Sequence, residues 1–528
     1  MSKQLIILLA FFSLLSYNVK SDEAFYPEPT FFSQDDQYFL HTVESGQTVY
    51  SISVMYNVSI DDIYSLNPGS KTVIKAGEKL KIPQKSGSYI YYTIQPEDNL
   101  YRVAQKYYMK GDDIIAVNPG LSIATFTIGK TIRIPTNLVT TPIQGGNEAL
   151  NIFNTNSLLN KTYPPVEVNS IKIALLLPFG LNENSSTAKA LRDKMVEYLE
   201  GFLMALKDLK KEGISATLQI FDIGSGTKDI QDILNKKEMQ DINMLIGGNS
   251  DDQIKMLSRF SKENKIPYII PFTSQSIEPF NNPNIYQINI PQHFLYSKAS
   301  TAFINKFNKY NIIIVLDEPG SSNRKEFIDI LLQDFQERKI PYKTVTWGAN
   351  FYLDINLLLK KDQNNIIVPS DDSTVTLSKL TTPLKSIVDN QSDISLSLFG
   401  YPAWQVHSST YSDDFFRLNT TFYTNIYSDP TSLQVKLFYS SFYKWYTRVL
   451  ENIFPKYGML GYDTGMNYIR LIQKYGSNMD YHINDLKYNG IQIDFYFQRV
   501  SIWGGFINTN MYFINYQPDY TITKTPIR

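Results

Sequence analysis

The sequence predicts a multidomain protein, with two small α+β modules near the N-terminus and a large α/β domain that has parallel sheets in two lobes. The first observation is a duplication, because the segment that begins at Tyr38 is repeated, with substitutions, from Tyr91. The second is the pattern from Ile171 onward, where apolar strands alternate with helices that have one apolar face, as in α/β domains. The third is a restart of this alternation near residue 285, which indicates two lobes.

The composition excludes several classes of protein. A net charge of −1 over 528 residues gives no electrostatic attraction for nucleic acid or anionic lipid. There are no cysteines, which excludes disulfides, thiolate metal sites and a cysteine nucleophile. The four histidines are far apart and lack metal-ligand spacing. We therefore expect no metal, no cofactor and no nucleic-acid partner.

Residues 1–20 have the pattern of a secretory signal. Lys3 gives a positive start, and the apolar run from Leu5 to Leu15 fits a signal core. That run is shorter than the ~20 residues that span a bilayer. An uncleaved anchor is the alternative, because no clean small-x-small cleavage site follows. We expect an exported protein.

Each copy of the repeat predicts the order strand, helix, helix, strand. The first copy spans 38–84 and the second spans 89–136. In the first copy, apolar residues spaced from Val49 to Tyr56 share one face of a predicted helix. Ser59 is placed as the N-cap of the helix that follows. A repeated unit of this kind is a module whose function is separable from that of the rest of the chain.

Both copies resemble LysM domains, which bind the N-acetylglucosamine-containing glycans of peptidoglycan or chitin. The resemblance rests on a G-x-T-v-y start, a helix-ending Asn-Pro, an x-G-x-x-L-x-I-P finish and the tandem duplication. It implies a shallow glycan groove between the first strand–helix loop and the loop before the last strand. On this sequence the groove falls at Gly46, Gln47, Thr48, Val49, Ile74, Lys75 and Ala76, and in the second copy at Asp98, Asn99, Leu100, Thr127 and Ile128.

The two copies differ at the first of these loops. Glu97-Asp98-Asn99 stands in the second copy where Gly46-Gln47-Thr48 stands in the first. Two weak sites joined by the short linker 85–87 would gain avidity if both reach one glycan strand. A LysM fold that serves only as a spacer is the alternative interpretation.

The remainder of the chain is predicted as a linker and one large domain. Residues 137–170 are rich in Asn and Thr and form the predicted linker. The large domain is divided into lobe 1 at about 171–283, lobe 2 at about 284–400, and crossovers with a terminal hairpin over 401–528. Because the segment 493–520 alternates like paired strands, we expect that hairpin to pack on lobe 2.

The large domain resembles a type I periplasmic binding protein, in the branch related to branched-chain amino acid receptors. The matching segments are IALLLPF at 173–179, GFLMAL at 201–206, IGGNS at 246–250, IPYIIPFTS at 266–274, NIYQINIPQ at 284–292 and MLGYDTGMNYI at 459–469. This resemblance implies two lobes that close by hinge motion on a ligand in the cleft between them. Ligands of open parallel sheets bind at the carboxyl ends of the strands. The loops expected there carry Ser250, Asp251, Thr273, Ser274, Ser370, Asp371, Tyr401, Trp404 and Asp463.

The residue types in that set suit an amino acid ligand. Ser250 and Ser274 are expected to bind a carboxylate together with helix N-terminal amides. Asp371 is the candidate partner for an ammonium group. The same residue types also fit N-caps and turns, and Tyr401 and Trp404 either line the cleft or fill it.

The function predicted from the sequence is binding without catalysis. G-x-S-x-G, P-loop and H-E-x-x-H motifs are absent, and no segment is left for a hydrolase domain. The leading hypothesis is a bacterial, wall-associated protein of the periplasm or envelope, whose LysM pair docks on peptidoglycan. Its two-lobed domain binds a small solute such as an amino acid or muropeptide. The rival hypothesis is a protein-interaction scaffold or regulator of cell-wall enzymes, with a vestigial cleft and an envelope protein as partner.

Overall fold

The fold is described from a computed structural model. It covers residues 37–71, 73–85, 87–107, 109–136, 159, 162–317 and 323–527. The predicted signal segment 1–20 and most of the predicted linker 137–170 lie outside these residues. From Phe39 onward the described chain forms one compact unit. Among the described helices, none combines the length and apolarity needed to cross a membrane.

Each repeat folds as a two-stranded sheet with two helices, as predicted. The first module contains β1 (Tyr38–Thr42), α1 (Val49–Tyr56), α2 (Ile60–Leu66) and β2 (Lys79–Pro83). The second contains β3 (Tyr89–Thr93), α3 (Leu100–Lys106), α4 (Gly111–Ala116) and β4 (Thr131–Pro135). The predicted N-cap is confirmed, because the side chain of Ser59 accepts a hydrogen bond of 3.0 Å from the backbone N–H of Asp62.

Lobe 1 is built on a seven-stranded sheet in the order β15-β16-β9-β8-β7-β5-β6. All neighbouring strands are parallel except the antiparallel pair β15 and β16. The strands are β5 (Ile171–Leu177), β6 (Ala216–Asp222), β7 (Met244–Gly247), β8 (Tyr268–Ile270), β9 (Ile285–Gln287), β15 (Phe497–Arg499) and β16 (Phe506–Asn508). Its helices are α5 (Ser186–Lys211), α6 (Ile230–Leu234), α7 (Asp251–Asn264), α13 (Leu433–Tyr446) and α14 (Tyr457–Tyr475).

Lobe 2 has a second seven-stranded sheet, in the order β11-β10-β12-β13-β14-β17-β18. Its first five strands are parallel, and β17 and β18 extend it in antiparallel fashion. The strands are β10 (Asn311–Leu316), β11 (Tyr342–Thr346), β12 (Asn365–Pro369), β13 (Leu396–Gly400), β14 (Thr421–Thr424), β17 (Tyr512–Tyr516) and β18 (Ile522–Pro526). The helices are α8 (His293–Phe307), α9 (Lys325–Arg338), α10 (Phe351–Leu358), α11 (Thr374–Asn390) and α12 (Ser408–Arg417). The predicted fold class is confirmed.

Two details of the predicted lobes are wrong. Strand β9, expected to open lobe 2, pairs in parallel with β8 and belongs to the sheet of lobe 1. The terminal segment 493–520 is divided between both lobes, because β15 and β16 extend the first sheet while β17 extends the second. Strands buried on both faces have the same apolar composition in either lobe, so the sequence pattern does not indicate which sheet a strand joins.

The turn between β15 and β16 joins both small modules to lobe 1. Its Trp503 is buried, with its ring 5.9 Å from the ring of Tyr56 and 5.7 Å from that of Tyr91. The guanidinium of Arg133 lies 4.5 Å from the same indole. In addition, the backbone N–H of Gly120 donates a 2.6 Å hydrogen bond to the carbonyl of Ile502. This contact fixes the orientation of the two modules against the large domain.

A buried histidine lies beside this joint. The backbone N–H of Glu44 donates to the Oε1 atom of Gln47 at 2.9 Å, which identifies that atom as the amide oxygen. Because an amide oxygen only accepts, Nε2 of His41 is the donor in its 2.7 Å contact with the same atom. The remaining Nδ1 then accepts from the hydroxyl of Tyr56 at 2.7 Å. Both contacts are satisfied by the neutral imidazole. Burial, the largest effect, lowers the pKa of His41 despite the opposing hydrogen bond to Gln47.

We expect acidification to destabilise the first module through His41. Its pKa is lower in the folded than in the unfolded chain, so the unfolded chain binds more protons as the pH falls through ~6.5, the unfolded value. The free energy of unfolding should therefore decrease below that pH. Urea denaturation of the full chain across pH 5–8 measures this. The His41→Gln variant should show a flatter profile, and an equally steep profile in that variant would contradict the assignment.

Candidate functional site

Most residues of the first predicted glycan loop, Gly46 to Val49, are buried or make contacts within the protein. Gly46 has a φ of 83°, and a Cβ there would lie 2.7 Å from the carbonyl oxygen of Phe294 in lobe 2. Thr48 is the N-cap of α1 and accepts from the N–H of Ser51. Val49 is buried, and Gln47 binds His41. This loop therefore docks the first module against the large domain.

The second predicted loop of the same module opens onto a groove. Ile74, Lys75 and Ala76 form one wall of a cavity of about 740 Å³, together with Ser45. Lobe 2 forms the opposite wall, through α8, α9 and the β17–β18 pair. The ammonium of Lys75 makes an ion pair with Glu337 of α9 across the groove. We call this cavity the module–lobe groove.

The second module presents its predicted loops differently. Thr127 and Ile128 are exposed, Ile128 by 67%. Asp98 accepts from the hydroxyl of Tyr92 at 2.6 Å and from the N–H of Gln95 at 2.7 Å. Asn99 is the N-cap of α3, and Leu100 is buried. In the second module the 127–128 loop is therefore exposed to solvent, while the side chains of the 98–100 loop are buried or bind neighbouring residues of the module.

Two of the predicted cleft residues line a cavity between the lobes. Asp251 and Ser274 of lobe 1 line a cavity of about 560 Å³, with Tyr296 and Glu326 on the side of lobe 2. Tyr50 of the first module lines the same cavity. The first module thus lies at the mouth of the space between the lobes. The sequence analysis missed Tyr50, Tyr296 and Glu326. Their positions at this cavity depend on contacts between residues far apart in the chain, which the local sequence pattern does not indicate.

The neighbours of these two residues have local roles. Ser250 is the N-cap of α7, with its hydroxyl accepting from the N–H of Gln253 at 3.4 Å. The hydroxyl of Thr273 accepts from the N–H of Gln275 at 3.2 Å. A second interlobe cavity, of about 520 Å³, lies beside the crossovers and is lined by Lys194, Gln405, Tyr427 and Lys456 among others.

Ser370 and Asp371 lie in a buried polar network at the end of β12. The hydroxyl of Ser370 accepts from the N–H of Asp317 at 3.0 Å. The carboxylate of Asp371 accepts from the hydroxyls of Ser373 and Thr376. Burial opposes ionisation of Asp371, but these hydrogen bonds outweigh it and lower its pKa. The ionised carboxylate is satisfied within lobe 2.

The three remaining predicted residues, Tyr401, Trp404 and Asp463, are buried and hydrogen-bond to backbone groups. The hydroxyl of Tyr401 donates to the carbonyl of Pro369, and Nε1 of Trp404 donates to that of Asp372 at 2.9 Å. Asp463 is fully buried and accepts from the backbone N–H groups of residues 491–493 at 2.9–3.0 Å. Burial raises its pKa to about 6. Tyr401 and Trp404 therefore pack inside lobe 2, and we leave all three out of the candidate site.

The comparisons with known proteins identify the repeated modules. Residues 41–83 and 92–135 each match the LysM domain family. This confirms the resemblance drawn from the sequence. The matched residues include β4 of the second module in full, and in the first module they extend from within β1 to the end of β2.

The curated relatives match this chain over a short part of its length. YdhD of Bacillus subtilis (strain 168), named as a proposed sporulation-specific glycosylase, is 36% identical over 97 residues, 18% of this chain and 22% of that protein. N-acetylmuramoyl-L-alanine amidase sle1 of Staphylococcus aureus (strain USA300) is 32% identical over 107 residues, 18% of this chain and 32% of that protein. The chain thus spans less than a third of the length of these relatives.

Solved structures are similar to the large domain. A solute-binding protein of an ABC transporter from R. palustris, in complex with benzoate, gives a TM-score of 0.37 at 13% identity, covering 68% of this chain and 96% of that chain. The branched-chain amino acid binding protein LivJ from Streptococcus pneumoniae, in complex with isoleucine, gives 0.37 at 12% identity, covering 68% and 99%.

Proposed function

We propose that this chain is an exported, non-catalytic protein that binds the glycan of peptidoglycan through its LysM pair. The observation that carries the proposal is the accessibility of the loop before the last strand in both modules. In the first module, Ile74 to Ala76 lines the module–lobe groove. In the second, Thr127 and Ile128 are exposed. The joint at Trp503 contacts both modules, and two sites on one body gain avidity if both reach one glycan strand.

We expect charge introduced into both loops to abolish retention on cell wall. The variant Ala76→Asp/Ile128→Asp places a carboxylate, with its hydration, on each surface that a neutral glycan would cover. Both positions are exposed, so folding should be retained. Co-sedimentation of the full chain with purified peptidoglycan should show affinity reduced at least about tenfold for the double variant, and less for each single variant, because the two sites act together.

A surface control separates this effect from a change in general charge. Leu353 and Leu357 of lobe 2 are 62% and 83% exposed, so Leu353→Asp/Leu357→Asp adds the same two charges outside the modules. Retention of the control with loss of the double variant supports the proposal. Undiminished sedimentation of the double variant would contradict it and would favour the spacer interpretation of the modules.

The two-lobed domain supports a second function, the binding of a small solute between its lobes. The interlobe cavity of about 560 Å³ lies within the ~300–1,000 Å³ of small-molecule sites. Asp251 offers a carboxylate for an ammonium group, and Ser274 offers a hydroxyl for a carboxylate. The scaffold hypothesis is favoured by a different observation, because Ser370 and Asp371 are satisfied within lobe 2.

A thermal-shift screen of the full chain against amino acids and short peptides distinguishes the two. A ligand at a hundred times its Kd should add about 2.7 kcal/mol to stability. The shift should vanish in Asp251→Asn and persist in Asp252→Asn, since Asp252 lies in the same first helical turn and only Asp251 lines the cavity. A flat screen with folded protein would favour the scaffold.

A further inference from the structure

The wall of the module–lobe groove opposite the LysM loop carries basic side chains that a neutral glycan does not require. Lys298 and Lys306 of α8 line it, as does Phe513 of β17. The ammonium of Lys298 donates to the carbonyl of Thr509 at 3.1 Å, and that of Lys306 lies 5.4 Å from the ring centroid of Phe513. Within the described residues, neither lysine makes an ion pair with a carboxylate.

These lysines are placed where an anion would stabilise them. Lys298 is half-buried, while Lys306 is the more exposed of the two. Desolvation by the surrounding groups lowers the pKa of both ammonium groups, because it penalises the charged form. A bound carboxylate would offset that cost through charge-assisted hydrogen bonds.

The same wall also carries acidic groups. Asp334 accepts from the hydroxyl of Ser300, and Glu337 makes the ion pair with Lys75 of the LysM loop. Both partners of that ion pair are partly exposed, at 28% and 54%, so the pair is weak in water and replaceable by a ligand. The groove therefore presents cations and anions within one cavity of about 740 Å³, a size typical of ligand sites.

We propose that lobe 2 binds the peptide stem of peptidoglycan while the adjoining LysM loop binds its sugar chain. This proposal rests on the glycan-binding function proposed above. A stem peptide is attached to the sugar chain and carries free carboxylates and a side-chain ammonium group, which matches a wall holding Lys298 and Lys306 together with Asp334 and Glu337. The large domain would then select glycan that still carries its stems, rather than bare glycan.

The test compares three ligands with the full chain by calorimetric titration. They are a disaccharide tetrapeptide with free carboxylates, the same compound with its carboxyl groups amidated, and chitopentaose as the sugar chain alone. We expect the free-carboxylate ligand to bind about tenfold more tightly than the amidated one, as for a charge-assisted hydrogen bond. This comparison needs no substitution, so it does not depend on the folding of a variant.

Substitutions then locate the preference. Lys298→Gln/Lys306→Gln should remove the difference between the free and amidated ligands, whereas Lys436→Gln, at an exposed position of α13, should keep it. Equal affinity for the two ligands in the unsubstituted chain, or a preference that survives the double substitution, would overturn the proposal. Binding of chitopentaose in that case leaves the glycan function standing, while binding of none of the three ligands overturns both.

Discussion

Replacing Trp503 by alanine is expected to weaken the docking of the LysM pair on the large domain, with a loss of about 3 kcal/mol or more in the free energy of unfolding. The indole is 2% exposed and contacts Tyr56 of one module, Tyr91 of the other and the Arg133 guanidinium. Its removal leaves a cavity among aromatic rings and a buried cation without its indole partner. Because the turn between β15 and β16 supplies this contact, the modules lose their aromatic anchor on lobe 1 and keep the contacts of Gly46 and Lys75 with lobe 2.

Urea denaturation of the full chain measures this loss, and Trp445→Ala serves as the control. Trp445 is 45% exposed, and its ring lies 4.1 Å from the ammonium of Lys207. Its removal should cost less than about 1 kcal/mol. The Trp503 variant should also unfold in two separate transitions, first the modules and then the lobes. A single transition with the same midpoint shift in both variants would contradict the role assigned to Trp503.

The substitution Gly201→Ala is expected to disrupt lobe 1, at a cost of about 3 kcal/mol or more. Helices α5 and α14 cross in direct backbone contact, and a methyl group at Gly201 would overlap the carbonyl oxygen of Gly458. A methyl at Gly461 would likewise overlap the carbonyl of Tyr198. Neither backbone can move away without displacing the buried residues that surround both helices.

Gly226→Ala is the matched control for that effect. A Cβ at Gly226 would meet no atom within 4 Å, and its φ is not positive. This variant should melt within about 1 °C of the unsubstituted chain, as expected for an unobstructed surface site. Differential scanning calorimetry compares the two directly. Equal melting temperatures for Gly201→Ala and the unsubstituted chain would show that the helices separate without cost.

The local structure of the modules followed from short sequence signals. The cap at Ser59 and the apolar face from Val49 to Tyr56 depend on neighbours within one or two turns. The sequence also predicted the strand–helix alternation of both lobes. The sequence did not predict which sheet β9 and β15 to β18 join. That choice depends on contacts between residues far apart in the chain, and local periodicity does not report them.

The candidate site was predictable only in part. The loop of Ile74 to Ala76 came from a motif, whereas its opposite wall in lobe 2 came from the docking of the first module through Gly46 and Phe294. Asp463 is the opposite case, a residue that was predicted as a ligand contact but is hydrogen-bonded within the fold. The sequence placed this carboxylate among the loops at the carboxyl ends of the strands, but three backbone N–H groups already bind it. Residue type alone does not distinguish a free acceptor from an occupied one.

The structure places the LysM pair and the lobes in one assembly. The first module contributes Lys75 to the module–lobe groove and Tyr50 to the interlobe cavity. Occupation of either cavity therefore changes the surroundings of a LysM residue. Under the functions proposed above, wall glycan and a solute would bind at cavities that share one LysM module, rather than on independent domains joined by a flexible tether.

Hydrogen–deuterium exchange of the full chain, with and without the disaccharide tetrapeptide, tests the central claim most directly. Glycan binding through the modules predicts slowed exchange at residues 73–76 and 126–129. The stem-peptide proposal adds slowed exchange along α8 and α9. Protection confined to the interlobe residues 250–251 and 273–277, with none in the modules, would contradict the account and identify the large domain as the sole binding site.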